Sequence, residues 1–307
     1  MELPVMASWA WIPIAIAAAF SQTIRNATQR SLVGGLGTLP ATLVRFLYGL
    51  PFALVWLVVA HRFTDLDAQL PPFNMAYVGW MLVGALSQLA ATALMLQAMK
   101  QRNFIVGVTF SKTEVLQVGI FSTIFLNELP SALSGLAMLI ATAGVVLLSI
   151  PGKIDGRRAR WTGNAAWYGL GCGACFALAS VGYRGAALQL PGTSPWLIGA
   201  WAVLLAQTLQ TLLLGGWLAL RAPGALTAIF RAWRPSFLAG MTGALASTGW
   251  LTAYAIRPAA DVRTLGLVEV LFSYMVSRRL FQESLTRKEL AGLLLVGAGV
   301  LVICAQF

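Results

Sequence analysis

Two glutamates within apolar stretches are the residues of this 307-residue chain best suited to chemistry. Glu114 lies in the stretch 104–128 and Glu269 in the stretch 262–283, and each begins the string Glu-Val-Leu. A carboxylate at membrane depth is costly, so it usually faces a cavity or a charged partner. We expect one or both to bind a substrate ammonium group or to take up a proton. The alternative is that each is neutralised by a nearby lysine or arginine and only holds helices together.

Basic and amide side chains accompany the glutamates. Lys112 lies two residues before Glu114, so the two would point to different faces of a continuous helix. Its partner is either a substrate carboxylate or a glutamate on another helix. In the first apolar stretch, spacing at i, i+3, i+4 and i+7 predicts one polar helical face. That face consists of Gln22, Arg25, Asn26 and Gln29. It either lines a substrate pathway or forms a polar contact between helices, with its hydrogen bonds made within the protein.

Further side chains are candidates for the same cavity. Arg45 and Arg184 lie within reach of their predicted helix ends, so they either join the site or extend to the membrane surface. Trp250 is a candidate to stack on an apolar or aromatic substrate, although packing or interfacial tryptophans are commoner. The remaining candidates to line the cavity are Thr92, Gln97, Thr252 and Tyr254.

Composition places the chain in a membrane. It is 58% hydrophobic and only 10% charged, with a mean hydropathy of +0.77. Apolar runs of about 20 residues recur almost throughout, which predicts a multi-pass α-helical protein of the inner (plasma) membrane. The net charge of +11 lies mostly between these runs. We therefore expect contacts with lipid headgroups and no nucleic-acid binding.

No cofactor, metal site or enzymatic activity is expected. Cys172 and Cys175 form a Cys-x-x-Cys pair, but the sequence offers no second ligand pair, so packing is the simpler interpretation. His61 is the single histidine and lies beside a predicted loop. Without a nucleophile–base pair in the sequence, an intramembrane enzyme is the least favoured class.

Ten membrane helices are predicted, five on each side of a polar linker. The linker covers residues 151–164 and separates a first repeat, 1–150, from a second repeat, 165–307. The predicted helices are 8–32, 38–60, 74–99, 104–126, 131–150, 165–190, 194–220, 236–256, 262–280 and 288–305.

The two halves repeat one pattern at a constant offset. A separation of 155 residues joins Glu114 with Glu269, Glu128 with Glu283, and Gly144 with Gly299. Because each half has an odd number of helices, the second half enters the membrane inverted. This is the plan of secondary transporters, whose site lies near the midplane where the repeats meet.

Basic residues predict the orientation of the chain. Most of the 21 lysines and arginines lie in the loops on one side of the predicted helices. The opposite side is assigned Arg62, Arg257 and Arg263. The positive-inside rule then places both termini outside the cytoplasm.

Two segments resemble the EamA-type branch of the drug/metabolite transporter superfamily. Segment 94–149 contains SKTEVLQVGIFSTIFLNELP, and segment 251–304 contains TLGLVEVLFSYMVSRRLFQE. Val115 and Val270 stand where the family often has proline, and Asn127 and Gln282 where it often has glycine before the closing glutamate. The resemblance implies ten helices in two halves, export of amino acids or similar compounds, and both termini inside.

We therefore predict a secondary transporter that exports a small polar or amino-acid-like metabolite bearing a carboxylate, by alternating access. Cations outnumber carboxylates within the predicted helices, which favours such a substrate. The first alternative is a proton-coupled exporter of cationic drugs or toxins; a lipid flippase and a non-transporting scaffold also remain open. The expected partners are the small-molecule substrate and the lipid bilayer, and a homodimer is left open.

Overall fold

The computed structural model describes residues 9–64, 70–100, 110–148, 153–154, 157–158, 164–281 and 286–306. Within these ranges the chain forms thirteen helices and one two-stranded antiparallel hairpin. The elements are α1 (Trp11–Leu36), α2 (Thr38–Leu47), α3 (Leu50–Thr64), α4 (Met75–Lys100), α5 (Glu114–Leu126), α6 (Ala132–Leu148), β1 (Lys153–Ile154), β2 (Arg157–Arg158), α7 (Asn164–Leu188), α8 (Pro195–Arg221), α9 (Pro223–Arg231), α10 (Trp233–Ile256), α11 (Ala259–Leu265), α12 (Val268–Phe281) and α13 (Arg287–Cys304).

The described helices form an all-α membrane protein, as the sequence predicts. The spans Thr38–Thr64, Met75–Lys100 and Pro195–Arg221 are long and apolar enough to cross a bilayer, by length and composition. α5 and α6 are shorter apolar helices. Large apolar side chains such as Leu54, Leu212 and Leu220 are more than half exposed, as expected where helices face lipid.

Three of the ten predicted helices contain a break. The second divides at residues 48–49 into α2 and α3, where Pro51 has no N–H to continue the hydrogen-bonding pattern of α2. The ninth divides at residues 266–267 into α11 and α12. The fourth has a turn at residues 112–113, directly before α5, while its predicted residues 104–109 lie outside the described residues.

One helix was not predicted. α9 lies between α8 and α10, begins at Pro223 and buries Ile229 against the protein. Proline is favoured in the first turn of a helix because its missing N–H needs no partner there. With nine residues, this segment is too short to be recognised as a membrane span, which needs about 20 residues.

The helices of the two halves pack in matching pairs. α4 packs against α7 as α10 packs against α1, and α5 packs against α7 as α12 packs against α1. α6 packs against α13, while α8 packs against both α2 and α3. This pattern is the one expected from two inverted repeats, and the division into 1–150 and 165–307 remains our proposal.

Small residues allow the closest of these helix contacts. A Cβ atom on Gly182 of α7 would lie 2.6 Å from the backbone nitrogen of Gly84 in α4. A Cβ atom on Gly144 of α6 would lie 2.7 Å from the carbonyl oxygen of Gly292 in α13. Backbones can approach this closely only where side chains are absent, as is common between membrane helices.

Side-chain contacts define the two ends of the bundle. At one end, here named the Arg184 end, Arg184 contacts Glu128 and the carbonyl of Tyr254, and Ser134 contacts Asp261. The other end, here named the Ile229 end, contains an apolar cluster at the ends of α1, α4 and α8. Members of that cluster include Leu32, Met95, Leu218 and Ile229.

Candidate functional site

The candidate site lies where two helices are interrupted. α5 begins at Glu114 after the turn at 112–113, and α12 begins at Val268 after the turn at 266–267, so Glu114 and Glu269 both lie in the first turn of a helix. The free N–H groups and the dipole at a helix N-terminus stabilise negative charge. Interrupted helices near the midplane are typical of the binding sites of secondary transporters.

Two ion pairs cross between these interruptions. Lys112 precedes α5 and its Nζ lies 2.9 Å from Oε2 of Glu269 in α12. Arg263 lies in α11 and pairs with Glu114 at the start of α5. Each interrupted segment therefore supplies a cation to the carboxylate of the other. The sequence left two partners open for Lys112, a substrate carboxylate or a glutamate on another helix. In the structure its partner is the glutamate on another helix, Glu269.

The turn at Lys112 also changes the geometry expected for it. On a continuous helix, Lys112 and Glu114 would point to different faces, but the helix ends between them. Both residues line one cavity. The expectation of two faces was therefore wrong, because it assumed that the helix runs through residues 112–113.

Arg263 is a site residue that sequence reasoning missed. We had assigned it to a loop at the membrane surface, whereas it lies within α11 and only 8% of it is exposed. Its guanidinium also lies over the ring of Trp250, 4.9 Å from the ring centroid. The helix α11 starts at Ala259, three residues before the predicted start, which brings Arg263 inside the bundle.

The polar face of α1 reaches Glu269. Gln22 donates to Oε2 of Glu269 at 2.7 Å, and Asn26 donates to Oε1 at 2.8 Å. Trp250 in turn donates to Oε1 of Gln22 at 3.0 Å. With Lys112, three donors converge on this one carboxylate. Such donors stabilise the ionised form of a carboxylate that is withdrawn from water.

Arg25 is the one fully buried cation at this site. Its Nε and Nη2 atoms donate to Oδ1 of Asn26 at 3.2 and 2.6 Å. Its Nη1 atom is buried and has no hydrogen-bond partner among the described residues. Arg25 therefore holds an unused donor and a positive charge whose direct contact is a neutral amide.

These groups surround a cavity of about 190 Å³. Three of the lining residues are cationic and two are carboxylates. Met95 and Met99 in the last turns of α4 also line it, so the cavity extends towards the Ile229 end. The charged and polar lining consists of Gln22, Arg25, Asn26, Ser111, Lys112, Glu114, Arg263, Glu269 and Ser273.

Several candidate residues lie outside this cavity. Gln29 is buried and donates to the carbonyl of Ala41 at 2.9 Å, which ties α1 to α2. Tyr254 is buried within hydrogen-bond distance of Ser180. Thr252 packs beside Gly199 of α8. These three residues connect helices in the described structure and do not line the cavity.

Arg45 forms a separate polar contact. Its Nη1 donates to Thr92 at 3.0 Å and its Nη2 to Ser247 at 3.3 Å. Only 1% of Arg45 is exposed. The suggestion that Arg45 extends to the membrane surface was therefore wrong, because its guanidinium contacts Thr92 and Ser247 inside the bundle. Gln97 likewise serves a helix contact, accepting from Thr38 at 3.0 Å.

Arg184 is held within the protein. Its Nη2 lies 2.7 Å from Oε1 of Glu128, and its Nη1 donates to the carbonyl of Tyr254 at 2.8 Å. The suggestion that Arg184 extends to the membrane surface was therefore wrong, because Glu128 and the Tyr254 carbonyl hold its guanidinium. Sequence reasoning treated Glu128 only as the residue that closes a helix. The buried Asp261, which accepts from Ser134 at 2.7 Å, was missed as well.

Comparisons with known proteins agree with this architecture. Residues 9–150 match the model of the EamA-like transporter family. One solved structure, described only as a crystal structure of a protein, aligns with a TM-score of 0.63 at 15% sequence identity. The alignment covers 97% of this chain and 94% of the other, and at this identity it shows the fold alone. No curated protein matches the chain significantly.

Proposed function

We propose, on the premise that residues 9–150 belong to the EamA-like transporter family, that this chain is a secondary transporter of the inner membrane. It exports a small amino-acid-like metabolite bearing a carboxylate, by alternating access. The observation that carries this proposal is the surplus of buried cations around the cavity. The argument for a membrane transporter comes from the family, and the argument for the substrate comes from the charges.

The charge balance at the cavity favours a substrate carboxylate. Lys112 and Arg263 each pair with a glutamate, which leaves Arg25 without a carboxylate contact in the described structure. A buried charge without a counter-ion is unfavourable by several kcal/mol. A carboxylate placed beside the free Nη1 of Arg25 would satisfy both the charge and the unused donor.

An amino group on the same substrate has a receptor at Glu269 or Glu114. Binding would exchange one internal ion pair for two contacts with the substrate, its carboxylate at Arg25 or Lys112 and its ammonium at a glutamate. Such an exchange places each charge of the substrate beside an opposite charge of the site, which limits the cost of burying it at membrane depth.

The size of the cavity favours a small metabolite over a drug. Pockets for drug-sized ligands usually measure about 300–1,000 Å³, whereas this cavity measures about 190 Å³. A cationic drug would add a further positive charge to a cavity that is already lined by three cations and two carboxylates. Since like charges repel in a low-dielectric interior, we place the alternative of a cationic drug exporter second.

The two ends of the bundle suggest the direction of transport. The cavity extends towards the Ile229 end, while the contacts of Arg184 with Glu128 and Tyr254 lie at the opposite end. Helices that end or begin at the Ile229 end carry basic residues there, including Lys100, Arg221 and Arg231. The positive-inside rule makes this the cytoplasmic end, so the cavity would load from the cytoplasm.

Metabolite profiling of the culture medium tests this function. Cells would express the wild type, Arg25→Gln, Glu114→Gln or the exposed control Arg231→Gln, with membrane content checked by immunoblot. We expect one carboxylate-bearing compound to accumulate outside with the wild type and the control, and to stay at background with the two site variants.

Two results would contradict the proposal. One is export that survives in Arg25→Gln, because the substrate carboxylate would then not depend on the surplus cation. The other is an unchanged metabolite profile together with ethidium resistance that Glu114→Gln abolishes. That second result would establish the cationic drug exporter instead.

A further inference from the structure

Two buried arginines make no direct hydrogen bond or ion pair with a carboxylate in the described structure. Lys112 pairs with Glu269, Arg263 with Glu114, and Arg184 with Glu128. Within the described residues, Arg25 and Arg45 donate hydrogen bonds to amide and hydroxyl oxygens. Arg25 lines the cavity, whereas Arg45 lies outside the cavity lining, so the cavity does not account for its burial.

Arg45 has a donor that remains unused. It lies in the last turn of α2, directly before the break at 48–49. Thr92 and Ser247 accept from its two terminal nitrogens, and its Nε atom is buried with no partner among the described residues. Hydroxyl oxygens satisfy hydrogen bonds but do not neutralise the charge, so the positive charge of Arg45 stays uncompensated.

Gln207 is a second buried side chain with unpaired polar atoms near the end of α2. Both polar atoms of the Gln207 side chain in α8 are buried without a partner in the described chain. A Cβ atom on Gly49 would lie 2.7 Å from Oε1 of Gln207 and 2.7 Å from the carbonyl oxygen of Arg45. Gln207 and the end of α2 are therefore adjacent, at the helix break. Buried polar groups in proteins are usually paired, so a cluster of unpaired ones needs an explanation.

Gly243 places Arg45 beside Arg25. A Cβ atom at this position of α10 would lie 3.1 Å from Cγ of Arg45 and 3.4 Å from Cδ of Arg25. The two side chains therefore pack on the same small surface of α10. Two like charges at close range in a low-dielectric interior repel each other, which adds to the cost of burying each one.

We propose that Arg45 forms an anion subsite next to the cavity, which receives the second carboxylate of a dianionic substrate while Arg25 receives the first. The identity of the occupant rests on the function proposed above; the subsite itself rests only on the unpaired arginines. An anion there would neutralise Arg45 and accept from its Nε. A small inorganic anion has the same chemistry, so chloride serves as the direct probe of the subsite.

The first experiment measures chloride binding to the purified protein in detergent by equilibrium dialysis with radiolabelled chloride. The variants are Arg45→Met, Arg45→Lys and the control Arg184→Met, which removes an arginine that already has a carboxylate partner. We expect the affinity for chloride to fall at least about tenfold in Arg45→Met, the order expected for a lost charged hydrogen bond. Arg45→Lys keeps the charge and retains binding, and Arg184→Met stays within about twofold of the wild type.

The second arm identifies the occupant by competition. Succinate is expected to displace chloride from the wild type at a concentration at least about tenfold lower than acetate, because only the dicarboxylate reaches both arginines. Unfolding of Arg45→Met is excluded by comparing its thermal unfolding with that of Arg45→Lys.

Each contrary result has a distinct meaning. Chloride binding that is absent from the wild type, or unchanged in Arg45→Met, overturns the subsite. Chloride that succinate does not displace overturns the second carboxylate as the occupant. If metabolite profiling shows no carboxylate export but Arg45 still binds chloride, the proposed function fails while the subsite stands.

Discussion

Buried cations are hydrogen-bonded less completely at the cavity than at the Arg184 end. At the Arg184 end, Arg184 uses its Nε, Nη1 and Nη2 atoms on Glu128 and the Tyr254 carbonyl. At the cavity, the Nη1 atom of Arg25 is buried without a hydrogen-bond partner among the described residues. A cation that the protein fully satisfies can hold helices together, whereas a cation that it leaves partly unsatisfied is available to a ligand.

The helices behind the two regions differ as well. Arg184 lies in the continuous helix α7, and Glu128 follows the αL residue Asn127 that ends α5. Four of the five cavity charges lie at or near the interruptions before α5 and α12, and the fifth, Arg25, lies in α1. An interruption exposes helix N-termini and lets neighbouring residues point to one cavity, and a continuous helix does neither. Binding is therefore expected at the interruptions and closure at the continuous ends.

The largest expected effect comes from breaking the cavity pair at Glu269. In Glu269→Gln, Lys112 loses its counter-ion, so we expect export to fall to background and the free energy of unfolding to fall by about 3–5 kcal/mol. Adding Lys112→Met removes the stranded charge and should restore most of the stability without restoring export. Export from proteoliposomes and thermal unfolding in detergent measure the two quantities. Recovery of export in the double variant would show that the pair is only structural.

A smaller and different effect is expected at the other region. Arg184→Met breaks the contacts with Glu128 and Tyr254 but leaves the cavity lining intact. We expect export to fall about tenfold because one end of the bundle no longer closes, while the dissociation constant for the exported compound changes less than about threefold. Parallel transport and binding assays make the distinction. An equal loss of affinity and export would mean that the two regions do not have separate roles.

The smallest effect is expected from Tyr254→Phe. The backbone carbonyl of Tyr254, which holds Arg184, remains in this variant, and only the hydrogen bond between the hydroxyl and Ser180 is lost. We expect export within about twofold of the wild type and a loss of about 1 kcal/mol in the free energy of unfolding. Initial export rates and thermal unfolding would measure both. A loss of export comparable to that of Arg25→Gln would return Tyr254 to the substrate site, where sequence reasoning had placed it.

Residue patterns alone predicted the all-α membrane fold, and they singled out Glu114 and Glu269, which line one cavity in the structure. Apolar runs about the thickness of a bilayer specify membrane helices, because the backbone has no other way to satisfy its polar groups in lipid. The spacing of Gln22, Arg25, Asn26 and Gln29 predicted one polar face, since that geometry depends only on 3.6 residues per turn. The first three line the cavity, whereas Gln29 contacts α2. An ionisable side chain within a long apolar run is also recognisable from the sequence, because a charge at membrane depth is costly and therefore rare.

The tertiary structure decided which charges meet. Arg263 is 149 residues from its partner Glu114, and no local periodicity relates them. Its place in the site depends on where α11 starts and on the break before α12, and turn positions are set by packing as much as by local sequence. Similarly, Arg45 and Arg184 were equivalent in the sequence as cations near helix ends. Burial of Arg45 against Gly243 and pairing of Arg184 with Glu128 separate them, because the partner of a buried charge is chosen by distance in space.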